Sequence, residues 1–298
     1  MMRVIQWSLA CALVACEPLP PPPPQPTAPA APPTEAELLA SRPYALTVPA
    51  GYVAGDARPL VVVLAGYGEL GPLTARWLGF EALQDSAGYF LAAPNGLRDS
   101  HGYNAWHPGP IHASQSWDVE YLLAIVHELE ARYSIDPKRV FFVGHSQGAH
   151  MAHRMGCDGS TDVAALMSLA GQVTMVPQYC APARPVSALQ IHGTADEVIG
   201  YEGDVQSAQP DPSIPSAHQT VAVWARNDGC DGGIALTGAT LDLDSRLPGE
   251  ETTVEAYAGC PPGVAVELWS IVDGSHRPAL TDGFAARVWG FLSSHPRP

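Results

Sequence analysis

The sequence VFFVGHSQGAHMAHRM, residues 140–155, decides the fold of this chain. Its first four residues are β-branched or aromatic, residues 144–148 match the pattern G-x-S-x-G, and the residues that follow are compatible with a helix. A strand that turns sharply into a helix lifts the central serine above the edge of a sheet, where it can act as a nucleophile. Larger side chains at the glycine positions would contact the neighbouring strand and helix. The stretch therefore predicts an α/β-hydrolase fold with Ser146 as nucleophile.

A serine hydroxyl is a weak nucleophile unless a general base accepts its proton. In this fold the acid follows the serine along the chain and the histidine comes last. Asp196 follows a predicted strand at residues 188–191, and His276 follows another at residues 264–272. The carboxyl ends of parallel strands meet at one edge of a sheet, which predicts that Ser146, His276 and Asp196 form a catalytic triad.

Other side chains near these positions are alternatives for the acid and the base. Glu197 and Asp204 are alternative acids, and His218 and His295 are alternative bases. His218 opens a predicted helix and His295 lies near the C-terminus, so both are less favoured than the histidine at the strand end.

Two backbone N–H groups are expected to bind the oxyanion of the reaction. One belongs to Gln147, directly after the nucleophile, and the other comes from the AGYG turn at residues 65–68, most directly from Tyr67. The long loop at residues 94–116 contains Trp106, which either lines the mouth of the site as a substrate-binding residue or packs in the core.

Apolar runs alternate with helical patterns through the rest of the chain, which predicts a mainly parallel central sheet with helices on both faces. Strands are predicted at residues 44–48, 60–64, 89–93, 140–143, 164–169, 188–191, 252–257 and 264–272, and helices at residues 74–87, 118–133, 147–157, 216–227 and 281–292. Residues 41–298 are therefore predicted to be one catalytic domain.

The N-terminal residues differ in composition from this domain. Residues 1–16 contain Arg3 and a short apolar run that ends in the sequence LVAC, which resembles a bacterial lipobox. An ordinary secretory signal is the alternative. Residues 17–40 are interpreted as a proline-rich linker. A lipid on Cys16 would anchor the protein to a membrane without spanning it, so we expect an exported lipoprotein of the bacterial cell envelope, or otherwise a secreted or periplasmic protein.

Charge and cysteine content exclude other classes of protein. The chain has 30 acidic and 15 basic residues, and a net charge of −15 disfavours nucleic acid as a partner. The sequence has no C-x-x-C pair, so a zinc site is not expected. An even number of cysteines in an oxidising compartment predicts two disulfides, for which the sequence allows three pairings. The cysteines of the predicted domain are Cys157, Cys180, Cys230 and Cys260.

The remaining histidines do not have the spacing of metal ligands, so we expect neither a metal nor a cofactor. They are expected at the surface or at the rim of the site. These residues are His101, His107 and His112 in one loop, and His150 and His153 on one helix face.

Several stretches occur in an order and spacing typical of one esterase family. They are RPLVVVLAGYG (58–68), the PNG…W loop (94–106), DVEYLLAIV (118–126), YSIDPKRVFFVGHSQGAHMAHRMGC (133–157), IHGTADEVIGY (191–201), VAVWARNDGC (221–230), YAGC (257–260) and DGSH (273–276). From about residue 43 to residue 292 the chain resembles the polyhydroxybutyrate depolymerase/feruloyl esterase family, close to carbohydrate esterase family one.

The resemblance implies an ester hydrolase that uses the predicted triad, and it suggests the disulfides Cys157–Cys180 and Cys230–Cys260. Ala65 and Pro278 stand where the family often has histidine and tryptophan, which affects the surroundings of the site more than the triad.

The resulting hypothesis is an exported serine esterase that forms an acyl-enzyme. Its expected substrates are small or oligomeric esters with a short acyl group, a feruloyl group, an acetylated sugar or a hydroxyalkanoate. A serine peptidase of the same fold and a catalytically inactive binding lipoprotein are the alternatives.

Overall fold

In the computed structural model, which describes residues 32–108, 117–203 and 215–298, nine strands form one large sheet. In chain order the elements are α1 (Glu35–Ser41), β1 (Ala45–Thr47), β2 (Arg58–Leu64), α2 (Gly71–Trp77), α3 (Phe80–Ala87), β3 (Phe90–Ala93), β4 (Leu97–Arg98), β5 (Asn104–Ala105), α4 (Asp118–Arg132), β6 (Ile135–His145), α5 (Gln147–Asp158), β7 (Ala165–Leu169), β8 (Ser187–Gly193), α6 (Ala217–Asp228), β9 (Ile234–Leu241), β10 (Thr252–Tyr257), β11 (Val266–Ile271) and α7 (Phe284–Ser294).

The strand order in the large sheet is β1-β3-β2-β6-β7-β8-β11-β10-β9. The strands from β3 to β11 in this order are parallel to one another, while β1 at one edge and β10 and β9 at the other are antiparallel to their neighbours. Strands β4 and β5 form a separate small hairpin. The predicted α/β-hydrolase fold, with a mainly parallel sheet and helices on both faces, is confirmed.

The parallel strands are buried on both faces, as the sequence of β2 illustrates. Leu60, Val62 and Leu64 pack with α1, α4, α5 and α6 on one face, whereas Val61 and Val63 pack with α2, α3 and α7 on the other. Successive side chains of a strand point to opposite faces, so a strand covered on both sides reads as a continuous apolar run. This explains why LVVVL has no polar alternation.

One helix was predicted over residues 74–87, and this prediction is wrong because two helices cover the region. Helix α2 ends and α3 begins around Gly79, whose φ of 80° lies in the left-handed region. Glycine adopts that conformation without a steric penalty, and it interrupts a right-handed helix. The helical pattern continues across the break, which is why periodicity alone did not reveal it.

Helix α1 overlaps the end of the predicted linker, residues 17–40, because it runs from Glu35 to Ser41. The Thr34 side chain accepts a hydrogen bond from the Glu37 N–H at 3.3 Å, and the Glu37 carboxylate accepts one from the Thr34 N–H at 2.8 Å. This reciprocal capping box begins the helix, and Leu38 anchors it in the core. Residues 1–31, which include the predicted signal and Cys16, lie outside the described residues.

Three strands of the structure were not predicted. Strand β9 pairs with β10 at the edge of the large sheet, and most of its side chains are exposed, so it lacks the alternation that marks a half-buried strand. Strands β4 and β5 lie in the region predicted as a loop. Within the described ranges, no helix has the length and apolar character needed to cross a membrane.

Both predicted disulfides are confirmed. Cys157 in α5 is bonded to Cys180, and Cys230 after α6 is bonded to Cys260. The first disulfide ties the helix that follows Ser146 to the segment between β7 and β8, and the second ties α6 to the turn between β10 and β11.

Candidate active site

Ser146 lies at the turn between β6 and α5, in a backbone conformation that side chains rarely adopt. Its φ is 54° and its ψ is −122°. Such a strained conformation persists only where the surrounding structure holds it. Here the Ser146 N–H donates to the Leu169 carbonyl at 2.9 Å, and the Ser146 carbonyl accepts from the N–H groups of Ala149 and His150. The predicted strand, sharp turn and helix are therefore present.

The two glycines of the turn are required by close backbone contacts. A Cβ on Gly144 would lie 2.2 Å from the Gly148 carbonyl oxygen, and a Cβ on Gly148 would lie 2.2 Å from the Leu64 carbonyl oxygen. Both distances are far below van der Waals contact. Helix α5 can thus approach β2 and β6 only with glycine at these positions.

Ser146, His276 and Asp196 meet at the carboxyl ends of β6, β11 and β8, as the sequence predicted. Ser146 Oγ lies 3.0 Å from His276 Nε2, and His276 Nδ1 lies 2.8 Å and 3.1 Å from the two carboxylate oxygens of Asp196. An ionised carboxylate only accepts hydrogen bonds, so Nδ1 carries the proton and Nε2 is left to accept from the serine hydroxyl.

The side chain of Asp196 is fully buried, and its carboxylate remains ionised because of the donors around it. Burial alone would raise the pKa of Asp196, but hydrogen bonds from His192 and His276 and from the N–H groups of Ile199 and Val198 hold this pKa well below its usual range. The two backbone donors each lie 2.8 Å from Oδ1. No sequence pattern singled out His192, although it stands four residues before Asp196 in the same strand-to-loop segment.

The alternative acids and bases do not occupy these positions. The Glu197 carboxylate accepts from the backbone N–H of His276, not from its ring. His218 is paired with Glu255 at 3.0 Å on the surface, and His295 is bonded to the Phe291 carbonyl at the end of α7. Asp204 lies outside the described residues.

The turn after β2 leaves one of its N–H groups available near Ser146. The Gly66 N–H contacts the Glu69 carboxylate at 3.3 Å, and the Gly68 N–H donates to the Asn104 carbonyl at 2.8 Å. Between them, the Tyr67 N–H has no hydrogen-bond partner in the described part of the chain. This arrangement supports Tyr67 as one oxyanion donor, with the N–H of Gln147 at the start of α5 as the other.

Trp106 packs beneath this turn, which corrects the prediction that it binds substrate at the mouth. Its side chain is only 2% exposed, and its indole N–H donates to the Ala65 carbonyl at 3.0 Å. Its backbone N–H donates to the Gln147 side-chain oxygen at 2.9 Å. Of the two alternatives that the sequence left open, the core position is the one observed, and Trp106 supports the turn from below.

A group of charged residues that the sequence analysis did not identify links this turn to the histidine loop. Arg277, directly after His276, forms an ion pair with Glu69 and lies 4.1 Å above the ring of Trp77. Burial alone would raise the pKa of Glu69, but the neighbouring His145 and Arg277 lower it to about 2. The signal available in the sequence was two opposite charges, each adjacent to a predicted site element.

The exposed rim of the site is aromatic. The rings of Tyr67 and Tyr103 are about half exposed, with centroids 5.6 Å apart. The Tyr67 hydroxyl donates to the Asp99 carboxylate at 2.6 Å, and the N–H of Tyr103 donates to the same carboxylate at 3.0 Å. Tyr103, which the sequence analysis did not single out, thus lies beside the predicted oxyanion residue.

The expectation that the remaining histidines lie at the surface or rim is wrong for His153. It is 1% exposed, and burial lowers its pKa to about 3, so it is neutral at physiological pH. His107 is half-buried against Asp118, His101 is exposed, and His112 is outside the described residues. Among the residues that the structure describes, no group of three or more His, Cys, Asp or Glu side chains is arranged to hold a metal ion.

The chain is similar to several esterases. The phospholipase/carboxylesterase family model matches residues 116–210, which include Ser146 and Asp196. Feruloyl esterase B of Piromyces equi is 29% identical over 262 residues, which cover 84% of this chain and 44% of that protein. The putative esterase NocK of Nocardia uniformis subsp. tsuyamanensis is 31% identical over 208 residues, which cover 66% of this chain and 58% of that protein. This chain thus spans about half the length of these two relatives.

Among solved structures, the acetyl xylan esterase from Aspergillus awamori is similar over 84% of this chain and 93% of its own, with a TM-score of 0.58 and 14% sequence identity. At this identity the similarity concerns the fold alone. It supports the architecture described above, including the mainly parallel sheet.

Proposed function

We propose that this carbohydrate-esterase-like α/β-hydrolase hydrolyses carboxylic esters with Ser146 as nucleophile, His276 as general base and Asp196 as the orienting acid. The observation that carries the proposal is the unbroken series of hydrogen bonds from Ser146 Oγ through His276 to the buried carboxylate of Asp196. The strained turn at Ser146 supports the same role, because it presents the hydroxyl to the open edge of the sheet.

In the proposed reaction Ser146 Oγ attacks the ester carbonyl carbon while its proton passes to His276 Nε2. The negative charge that develops on the carbonyl oxygen is bound by the N–H groups of Tyr67 and Gln147. The tetrahedral intermediate collapses to an acyl-serine, and the leaving alcohol takes the proton from His276 Nε2. Water then attacks the acyl-serine by the same route, which releases the acid and restores Ser146. The chain's own residues supply every group, so no cofactor is required.

The proposed substrates are esters of a short acyl group or of an aromatic acid attached to a sugar, with hydroxyalkanoate oligomers as a further candidate. The exposed rings of Tyr67 and Tyr103 beside the proposed oxyanion site support an aromatic or sugar ring at the rim. The relative named feruloyl esterase B supports the same class. We expect kcat/KM to be higher for acetyl to butyryl and feruloyl-type esters than for long-chain acyl esters.

We also propose export, with a lipid anchor on Cys16. Two disulfides support an oxidising compartment, and the LVAC sequence supports lipidation. Metabolic labelling of the full chain with a fatty-acid analogue should label wild type and not Cys16→Ser, and the variant should leave the membrane fraction. If Cys16→Ser kept both the label and the membrane association, the anchor would have to be elsewhere.

The decisive experiment is labelling by a fluorophosphonate probe together with a panel of acetyl, butyryl, feruloyl-type and long-chain esters. We expect wild type to be labelled and to hydrolyse the first three, and Ser146→Ala to do neither. A small amide substrate in the same assay tests the peptidase alternative, which faster amide than ester hydrolysis would favour. Failure of the wild type both to take the label and to cleave any ester would point to an inactive binding protein.

A further inference from the structure

A second series of polar side chains crosses the core behind Asp196. It consists of His192 and Gln190 on β8, His153 on α5 and Trp224 on α6, and none of these residues is more than 1% exposed. Buried polar groups are costly unless each finds a partner. The way in which these groups satisfy one another fixes where every proton lies.

At the far end, the partners determine the tautomer of His153. The Trp224 indole only donates, so its N–H donates to His153 Nδ1 at 2.9 Å. The proton of the neutral His153 ring must then be on Nε2, which donates to the Gln190 side-chain oxygen at 3.1 Å. That contact in turn fixes the orientation of the Gln190 amide.

At the near end, the same logic determines the tautomer of His192. The Gln190 NH₂ group donates to the Gly171 carbonyl at 2.8 Å and to His192 Nδ1 at 3.2 Å. His192 Nε2 lies 2.8 Å from the Ile199 carbonyl, which only accepts, and 3.2 Å from Asp196 Oδ2. Two independent constraints therefore agree. The donor-only indole of Trp224 at one end and the acceptor-only carbonyl of Ile199 at the other both place the proton of His192 on Nε2.

The Asp196 carboxylate thus lies between two imidazole rings of different character. We infer that His192 is a positioning residue for Asp196, held neutral with its Nε2–H toward the carboxylate by the hydrogen bonds of Gln190, His153 and Trp224. This inference rests on the proposed function, in which Asp196 orients His276.

The neutrality of His192 has a physical consequence for the proposed reaction. A second proton on His192 would reside on Nδ1 and would face the NH₂ group of Gln190, so two donors would oppose each other. His192 therefore supplies a hydrogen bond without a positive charge. The negative charge of Asp196 remains available to stabilise the imidazolium that forms on His276.

Other charged or titratable groups also surround this site. They are Tyr201, whose ring centroid is 5.6 Å from that of His192, and His145 before the nucleophile, whose ring centroid is 5.1 Å from that of His276, together with His150 on α5, Glu69 after β2, Glu197 after β8 and Arg277 after His276. All of them are unchanged in the variants below, so a difference between variant and wild type reports on His192.

The test compares His192→Leu, which removes the donor, with His192→Gln, which keeps an N–H at a similar distance. The rate of Ser146 modification by a fluorophosphonate is measured against pH, together with kcat/KM for an ester that the wild type cleaves. We expect His192→Leu to lower both rates by about 10-fold to 100-fold, the range seen when the outer partners of metal-binding side chains are removed, and His192→Gln to restore most of the loss.

The pH profile separates positioning of Asp196 from a merely structural role. With one donor fewer, the Asp196 carboxylate interacts more strongly with the imidazolium that forms on His276. We expect the acid-side inflection of the labelling rate to move up by about half a pH unit in His192→Leu and to stay near the wild-type value in His192→Gln. A fall in rate with an unchanged inflection, or a wild-type rate in His192→Leu, would overturn the inference.

If His192→Leu does not fold, as judged by circular dichroism, the far end of the series provides the test. Trp224→Phe removes the donor to His153 together with part of the buried ring, and Trp289→Phe, which makes the same change outside the series, is the control. We expect Trp224→Phe to lower the labelling rate about threefold with an upward shift of the inflection, because the tautomer of His153 is no longer enforced. Equal profiles for Trp224→Phe and Trp289→Phe would overturn the inference. A wild-type chain that neither takes the label nor cleaves esters would instead refute the proposed function.

Discussion

The residues on the two sides of Ser146 differ in burial and in the contacts that hold them. On one side lie His276 and Asp196, which are 8% and 9% exposed and are held by several hydrogen bonds each. On the other side lie Tyr67 and Tyr103, which are 50% and 55% exposed and contact each other and Asp99. We call these the buried side and the exposed side of the site.

This difference separates chemistry from substrate choice. Hydrogen bonds and charges act more strongly in a buried environment from which water is excluded, so proton transfer depends on the buried side. Exposed rings can be replaced without leaving an unpaired polar group in the core. We therefore expect substitutions on the buried side to abolish the reaction and substitutions on the exposed side to alter which ester is preferred.

The largest effect is expected from the buried side. His276→Ala should lower kcat by about 10⁴-fold or more, as Ser146→Ala should, because nucleophile and base act as a unit. Asp196→Asn should lower kcat by a somewhat smaller factor. The matched control is His218→Ala, which removes a surface histidine paired with Glu255 and should leave kcat unchanged. The reverse result, a large loss in His218→Ala and none in His276→Ala, would reassign the base.

The second largest effect on activity is expected from adding a methyl group at Gly148, in the turn that holds Ser146. Gly148→Ala places a Cβ against the Leu64 carbonyl, so Ser146 must shift, and a displacement of about 1 Å costs on the order of 100-fold in kcat/KM. Gly290→Ala is the control, because it adds a methyl group in open space on α7 and should only raise stability slightly. Equal activity of the two variants would show that the turn has room to adjust.

The disulfides are expected to stabilise the framework behind the buried side. In the chain-entropy model, loops closed across 23 and 30 positions in sequence each contribute about 3.5 kcal/mol to the free energy of unfolding. Replacing both cysteines of either pair with serine should lower the denaturation midpoint accordingly. On heating, we expect the variant without Cys157–Cys180 to lose activity at a lower temperature than the variant without Cys230–Cys260. The reason is that Cys157 lies in the last turn of α5, the helix that follows Ser146. Unaltered unfolding curves would contradict the entropic estimate.

The ion pair between Glu69 and Arg277 connects the two sides, and its effect should depend on pH. Since the pKa of Glu69 is lowered from 4.5 to about 2, its contribution is complete above pH 4.5 and is lost as the pH falls toward 2. Glu69→Gln should therefore be less stable than wild type by about 1 kcal/mol near neutral pH, and the difference should shrink with acidification.

Thermal unfolding of wild type and Glu69→Gln between neutral and acid pH measures this difference. Glu81→Gln, which breaks the exposed pair with Arg76, is the control and should show little change. A difference between wild type and Glu69→Gln that does not vary with pH would mean that Glu69 acts through packing and not through its charge.

The smallest effect is expected on the exposed side. Tyr103→Ala removes one ring of the aromatic pair, and we expect KM for a feruloyl-type ester to rise about threefold, which is the size of one lost aromatic contact. kcat for the same ester and kcat/KM for an acetyl ester should stay near wild type. If Tyr103→Ala lowered kcat for both esters equally, the division between the two sides would not hold.

Local patterns in the sequence were enough to predict the parallel strands of the sheet, the turn at Ser146 and the three residues of the proposed triad. A buried strand, a tight turn and a strand-end loop each leave their signal within about ten neighbouring residues, because backbone conformation and burial are set at that range. The break at Gly79 and the start of α1 at Thr34 were missed although their signals are local, since a helical period continues across the first and a proline-rich segment precedes the second.

Only the tertiary structure decided the contacts between residues far apart in the chain. Glu69 contacts Arg277 across 208 positions in sequence, and His153 contacts Gln190 across 37. In neither pair does the local sequence around one residue indicate which residue is its partner. The same holds for Trp106, whose indole could face solvent or core until the position of the Ala65 carbonyl was known. A polar side chain takes its protonation and its role from the groups packed against it, and those groups are brought together only when the sheet and its helices assemble.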